Sequence, residues 1–122
     1  MNIETLRAEF NAQANEEKAS HLAGYMRNQF PFYGLQTPQR RAIYHEFLKD
    51  EKKKQQLDWD LLNQAWNEKQ REMQYFVCDY LIALKKYIKF DDLAKIEHFV
   101  RTKQWWDTID SLIKVYGYLG CQ

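Results

Sequence analysis

The chain has 122 residues, of which 45% are hydrophobic and 16% aromatic, enough apolar side chains for the core of one domain covering residues 1–122. With 18 Lys and Arg against 17 Asp and Glu, the formal net charge is +1, so the composition does not mark the chain as a dedicated binder of polyanions. No apolar run approaches the roughly 20 residues of a membrane helix, and Met1–Phe10 has no secretory signal pattern, so we expect a soluble, cytoplasmic protein with no membrane partner.

Apolar residues recur at helical spacing along the whole chain, and no alternation of apolar and polar residues is long enough to predict a sheet. Asn2 and Asn15 carry side chains that cap helices. Asn15 is followed by Glu16 and Glu17, whose charges favour the positive end of a helix dipole. These residues predict the starts of the first two helices.

The segment FPFYGLQTPQRR, at residues 30–41, is the clearest local signal. Its Pro and Gly interrupt the helical pattern. Thr37 followed by Pro38 combines a cap residue with a first-turn proline, which predicts that a third helix begins there. We expect the charged run Glu51–Gln56 to be a solvated connector after this helix.

Four further helices follow, separated by short connectors. We predict their starts at Asp58, at about Glu68, at Asp91 or Asp92 and near Trp105, with the fifth helix reaching about Lys86 and the seventh reaching Gly117 or Gly120. The predicted fold class is therefore all-α, with about seven helices.

Short connectors between the helices predict antiparallel pairs stacked as a HEAT-like α-solenoid. The expected pairs are helices one and two, three and four, and five and six, while the seventh opens a fourth pair. Solenoids normally end in a helix with a polar outer face. Because none is predicted before Gln122, we expect the chain to be the amino-terminal portion of a longer domain.

The cysteines and histidines do not predict a metal site. Cys78 and Cys121 lack the spacing of zinc ligands and have no Cys or His partner at such a spacing. The three His are scattered singly along the chain. Cys78 lies in an apolar stretch, so we expect it to be a buried free thiol.

The segment Lys103–Ser111 has an unusual composition, with two adjacent tryptophans followed by two carboxylates. Trp106 and Asp110 are four residues apart, so on a helix they project together, with Asp107 beside them. This predicts one surface that carries an aromatic ring and a carboxylate. The neighbouring stripe is expected to face the core and consists of Trp105, Ile109, Leu112 and Tyr116.

Residue types alone leave a structural alternative open for this segment. Asp107 is also a suitable cap for the seventh helix, and Asp110 then favours the same helix dipole. Under this alternative, Trp106 is a second core tryptophan.

The sequence resembles the amino-terminal half of the AlkD-like DNA alkylation repair family over essentially the whole chain. Three stretches carry the resemblance: Ala23–Arg41, Glu72–Leu81 and Thr102–Asp110. The resemblance implies a HEAT-like solenoid whose concave face holds duplex DNA. It also implies a DNA glycosylase that removes purines alkylated at N3 or N7, with no metal, nucleotide or redox cofactor.

The resemblance also assigns roles to individual residues. It implies that Asp110 is the catalytic carboxylate and that Trp106 contacts the nucleotide carrying the lesion. Tyr25 and Gln36 are expected to approach the DNA around the lesion, and Asp107 lies beside the pair. The candidate phosphate contacts are Arg27, Arg40, Arg41, Lys103 and Lys114. An arginine and a tryptophan that the family supplies from later helices are expected beyond Gln122.

The expected chemistry suits an acid and an aromatic ring. A purine made cationic by alkylation is already a good leaving group, so the protein has to stabilise an oxocarbenium-like sugar and position a water molecule, which an ionised carboxylate does. An aromatic face near the cation contributes about 0.5–2 kcal/mol. Three alternatives stay open: a HEAT-like scaffold for another protein, a DNA-lesion binder without turnover, and an inactive fragment of the glycosylase.

Overall fold

A computed structural model of the protein describes residues 1–103 and 105–120, without the side chains of residues 106, 116, 119 and 120. This part of the chain contains seven α-helices and no strand, which confirms the all-α prediction. The helices are α1 (Ile3–Ala12), α2 (Glu16–Tyr25), α3 (Thr37–Lys54), α4 (Trp59–Trp66), α5 (Arg71–Ala83), α6 (Leu93–Arg101) and α7 (Trp106–Gly120). Two 3-10 turns, Lys85–Tyr87 and Phe90–Asp92, connect α5 to α6.

The predicted caps form as expected at three helix starts. The side chains of Asn2, Asn15 and Asp58 each accept a hydrogen bond from the backbone N–H three residues further along, at 2.8, 3.0 and 3.1 Å. The cap of α3 is Gln36 rather than Thr37, because Thr37 is already the first helical residue and Gln36 has extended backbone.

Helix α5 ends at Ala83, about one turn before the predicted Lys86. Two further predicted boundaries are also wrong by about one helical turn. Glu51–Lys54 is the last turn of α3 and not a connector. Glu51 is buried there, and its Oε1 accepts a hydrogen bond from the hydroxyl of Tyr80 at 3.0 Å. Helix α5 begins at Arg71, whose N–H donates to the carbonyl oxygen of Pro31 at 2.8 Å. Tertiary contacts, which the local pattern does not contain, set both boundaries.

The helices form two layers, and the pairing within them differs from the predicted one. Helices α3, α5 and α7 are successive neighbours in one layer, with α1 and α4 in contact on the other side. Helix α6 extends the second layer, since the ring of Phe99 lies 4.8 Å from that of Trp66 on α4. The contacts join α1 to α3, α4 to α5, and α6 to α7. The predicted pairing of α1 with α2 fails because no side chain of Glu16–Tyr25, which is described in full, is buried.

Helix α5 is the centre of the core. Its apolar residues Met73, Phe76, Val77, Tyr80 and Leu81 are fully buried. Three polar side chains in its first two turns, those of Arg71, Glu72 and Gln74, are fully buried as well. Buried charged groups require partners, and those of Arg71 and Glu72 shape the functional site.

The core-facing stripe of α7 differs from the prediction. Its buried residues include Thr108, Leu112 and Val115, whereas Ile109 is half-buried. Trp105 precedes the helix, is only half-buried and packs edge-on against Phe30, with 6.3 Å between ring centroids. The predicted stripe placed Trp105 inside the helix, and its last member, Tyr116, has a side chain outside the described residues.

No helix in residues 1–103 and 105–120 is long and apolar enough to cross a membrane.

Candidate functional site

A cleft of about 510 Å³ opens where α2 and the loop before α3 face the layer formed by α3, α5 and α7. Four of the seven side chains predicted to form the site line this cleft: Tyr25, Gln36, Arg40 and Asp107. They come from α2, the loop, α3 and α7, so the fold gathers residues up to 82 positions apart in sequence. Tyr25 is 82% exposed and presents its ring to solvent.

A single buried carboxylate holds the loop that borders the cleft. Glu72 accepts hydrogen bonds from the backbone N–H groups of Tyr33, Gly34 and Leu35 at 2.9, 3.0 and 3.1 Å. The other side of the loop is fixed to α2, because the N–H of Asn15 donates to the carbonyl oxygen of Tyr33 at 2.9 Å. These bonds determine where Leu35 and Gln36 meet the cleft.

Asp79 pairs with the two arginines, Arg40 and Arg41, that line one wall of the cleft. Its carboxylate lies 3.4 Å from the guanidinium of Arg40 and accepts two hydrogen bonds from Arg41 at 3.3 Å. The hydroxyl of Tyr44 also donates to Asp79. Burial raises the pKa of Tyr44 above its usual value, so this hydroxyl stays protonated. The Arg41 side chain is 60% exposed whereas that of Arg40 is 7% exposed, so Arg41 is the cation of this wall that faces solvent.

A second carboxylate, that of Asp107, is bound at the start of α7. It pairs with the guanidinium of Arg71 at 2.7 Å and accepts a hydrogen bond from the hydroxyl of Tyr75. Burial raises the pKa of Tyr75 above its usual value, and the hydrogen bond to Asp107 raises it further, so the hydroxyl remains the donor. The negative charges of Asp79 and Asp107 are therefore both compensated by arginines.

Asp110 differs from these two acids. It lies one turn beyond Asp107 on α7 and is exposed, and it has no hydrogen bond or ion pair within the part of the chain that the structure describes. Such a carboxylate is available to a bound cation. The side chain of Trp106, its predicted partner, lies outside the described residues.

The structure does not bring Lys103 to the cleft. Its ammonium group donates to the carbonyl oxygen of Glu68 at 2.6 Å. Burial and the neighbouring charge of Arg71 lower the pKa of Lys103. Among the other candidate phosphate contacts, Arg27 and Lys114 are exposed.

Sequence reasoning missed Arg71, Tyr75 and Asp79, which complete the site from α5. A usable signal was present, since Arg71, Glu72 and Asp79 are charged residues in a helix whose other residues are mostly apolar. Charges at such positions must be paired.

The predicted burial of Cys78 is confirmed, and burial raises the pKa of its thiol to about 12. Cys121 lies outside the described residues, and within them no three His, Cys, Asp or Glu are grouped as metal ligands.

Comparisons with known proteins relate the chain to DNA alkylation repair enzymes. A family profile described as DNA alkylation repair enzyme matches residues 6–118. A solved structure from Enterococcus faecalis, described as a predicted DNA alkylation repair enzyme, superposes with a TM-score of 0.77 and 27% sequence identity. The alignment covers 87% of this chain and 50% of that one, so the present chain spans about half the length of its structural relative. A search of curated proteins found no match.

Proposed function

The chain belongs to the DNA alkylation repair enzyme family, a family of DNA repair proteins, and we propose that it is a DNA glycosylase that removes purines alkylated at N3 or N7 from duplex DNA. In this proposal Asp110 is the catalytic carboxylate, and Trp106 contacts the nucleotide that carries the lesion. Tyr25, Gln36 and Arg40 border the bound DNA.

The exposure of Asp110 is the observation that carries this proposal. Asp79 and Asp107 are both neutralised by arginines, whereas Asp110 is exposed and unpaired within residues 1–103 and 105–120. A carboxylate that holds the fold through an ion pair or hydrogen bonds has partners in the protein, as Asp79 and Asp107 do. Asp110 does not line the cleft itself, but it lies one turn from the cleft residue Asp107, which supports a role beside a ligand bound there.

The chemistry that follows needs no proton donor on the base. When the N-glycosidic bond breaks, its electron pair goes to the cationic purine, which leaves as a neutral base, and positive charge develops on the sugar. Asp110 stabilises this oxocarbenium-like sugar and orients the water whose oxygen forms the new bond to the sugar, and the proton that the water loses passes to solvent. The exposed ring of Tyr25 offers a face to the cationic base, a contact worth about 0.5–2 kcal/mol.

Single-turnover release of 7-methylguanine and 3-methyladenine from methylated duplex DNA tests the proposal. Asp110→Asn should lower the rate constant by on the order of 100-fold, because it removes the charge that stabilises the transition state. Asp91→Asn is the matched control, since Asp91 is an exposed acid in the turn before α6. Release by the unmodified chain at the uncatalysed rate, with methylated DNA still bound, would make it a binding module instead.

A further inference from the structure

The first turn of α7 is held by one buried guanidinium. Arg71, on α5, is fully buried and donates to the carbonyl oxygen of Lys103 at 2.8 Å, to Asp107 at 2.7 Å and to the hydroxyl of Thr108 at 2.9 Å. One side chain therefore connects a residue of the loop between α6 and α7 with two residues of α7.

Both oxygen atoms of the Asp107 carboxylate are occupied. Oδ1 accepts from Arg71 and from the backbone N–H of Thr108, the latter at 2.7 Å, and Oδ2 accepts from the hydroxyl of Tyr75. Arg71 and Tyr75 are four residues apart on α5, so they lie on the same face of that helix. Two anchors on one carboxylate restrict the rotation of α7 about its axis as well as its position.

Arg71 is fixed in turn by the loop that borders the cleft. The guanidinium of Arg71 lies 4.0 Å from the ring centroid of Phe30, and the backbone N–H of Arg71 donates to the carbonyl oxygen of Pro31. The ring of Tyr75 lies 6.3 Å from that of Phe32. The loop, α5 and the start of α7 thus form one connected unit.

We propose that Arg71, Tyr75 and Asp107 are positioning residues that fix the direction in which α7 presents Asp110 to the cleft. This inference rests on the proposed catalytic role of Asp110. Since Asp110 follows Asp107 by one turn, a small rotation at the anchored turn displaces its carboxylate. A displacement of about 1 Å is enough to slow a reaction by about 100-fold.

Tyr75→Phe tests this with the smallest change. It removes the hydroxyl that anchors Asp107 and leaves the ring contacts with Phe32 in place. Tyr80→Phe is the matched control: Tyr80 is on the same helix, and its hydroxyl also donates to a buried carboxylate, that of Glu51, outside the cleft. Unfolding midpoints of both variants define the conditions under which each is fully folded.

The kinetic readout separates positioning from DNA contact. For Tyr75→Phe we expect the single-turnover rate constant at saturating DNA to fall about tenfold, with the Kd for methylated duplex DNA unchanged. Tyr80→Phe should change neither quantity. An equal fall of the rate constant in both variants, or a weakened Kd at an unchanged rate constant, would overturn the proposal.

Hydrogen exchange reports on α7 independently of catalysis. We expect the amides of residues 109–112 to exchange about tenfold faster in Tyr75→Phe than in the parent chain, and at the parent rate in Tyr80→Phe. Unchanged exchange in Tyr75→Phe shows that the hydroxyl does not position α7. If exchange rises while the parent chain releases no base, the anchoring of α7 holds and the glycosylase function is wrong.

Discussion

Gly34 lies so close to the carbonyl oxygen of Asn15 that a Cβ atom on Gly34 would stand 2.1 Å from it. The φ angle of Gly34 is +94°, in the region that side-chain-bearing residues rarely adopt. Asn15 caps α2 and also donates its N–H to the carbonyl oxygen of Tyr33. This contact fastens α2, and with it Tyr25, to the loop that borders the cleft.

Gly34→Ala should therefore destabilise the protein by about 2 kcal/mol or more, because the new Cβ would clash with the backbone of Asn15 and alanine would have to adopt a strained positive φ. Gly24→Ala is the matched control. A Cβ on Gly24 meets no atom within 4 Å, and the residue is helical, so this change should leave stability unchanged or raise it by up to about 1 kcal/mol. Urea unfolding followed by circular dichroism measures both, and equal effects would contradict the account of the loop.

Glu72→Gln should lower the free energy of unfolding by about 3 kcal/mol. The amide keeps one acceptor oxygen but points an NH₂ group at backbone N–H donors of the loop, which are buried with their carboxylate partner. Glu46→Gln changes the same group on the surface, where Glu46 is 79% exposed and 4.0 Å from Lys49, and should cost less than about 0.5 kcal/mol. Urea midpoints that shift alike in the two variants would argue against Glu72 as the anchor.

Arg41→Ala should reduce the slope of log Kd against log salt concentration by about 1 for duplex DNA, if Arg41 contacts a phosphate in the proposed complex. The side chain is 60% exposed, and among the described residues its ion pair is with Asp79, so stability should change little. Arg101→Ala is the control, since Arg101 is 74% exposed and paired with Glu97 on α6, apart from the cleft. The prediction fails if both variants keep the parent slope.

Stability should decline at alkaline pH. Burial raises the pKa of Cys78 from 9.0 to about 12 and that of Tyr33 from 10.0 to about 12. The unfolded chain ionises at the lower values while the folded chain stays neutral, so this stabilisation is complete below pH 9 and is lost as pH rises towards 12. Urea midpoints measured from about pH 8 upward should fall, and in Cys78→Ala the fall should begin nearer pH 10. A flat profile to pH 11 or beyond would contradict the burial of these groups.

Part of the site was predictable from the sequence, since the resemblance carried over Tyr25 and Gln36, while residue type and helix position made Arg40 and Asp107 candidates. Tyr25, Gln36, Arg40 and Asp107 do meet at one cleft. The partners of Asp107 were not predictable, since a carboxylate at a helix start looks the same in sequence whether it faces solvent or a buried arginine. Lys103 was a candidate phosphate contact from its residue type, but it does not line the cleft, and its ammonium group donates to the carbonyl oxygen of Glu68.

Local sequence is enough to predict the helices and most of their starts, since capping and apolar periodicity act within about four residues. Asn2, Asn15 and Asp58 each bond to an amide three residues away. Which charged side chains are buried and which stay exposed depends on the packing of the helices. Arg71 binds Asp107, 36 residues away in sequence, and Glu72 binds the N–H of Tyr33, 39 residues away. These pairs therefore follow from how the layers pack and not from any local pattern.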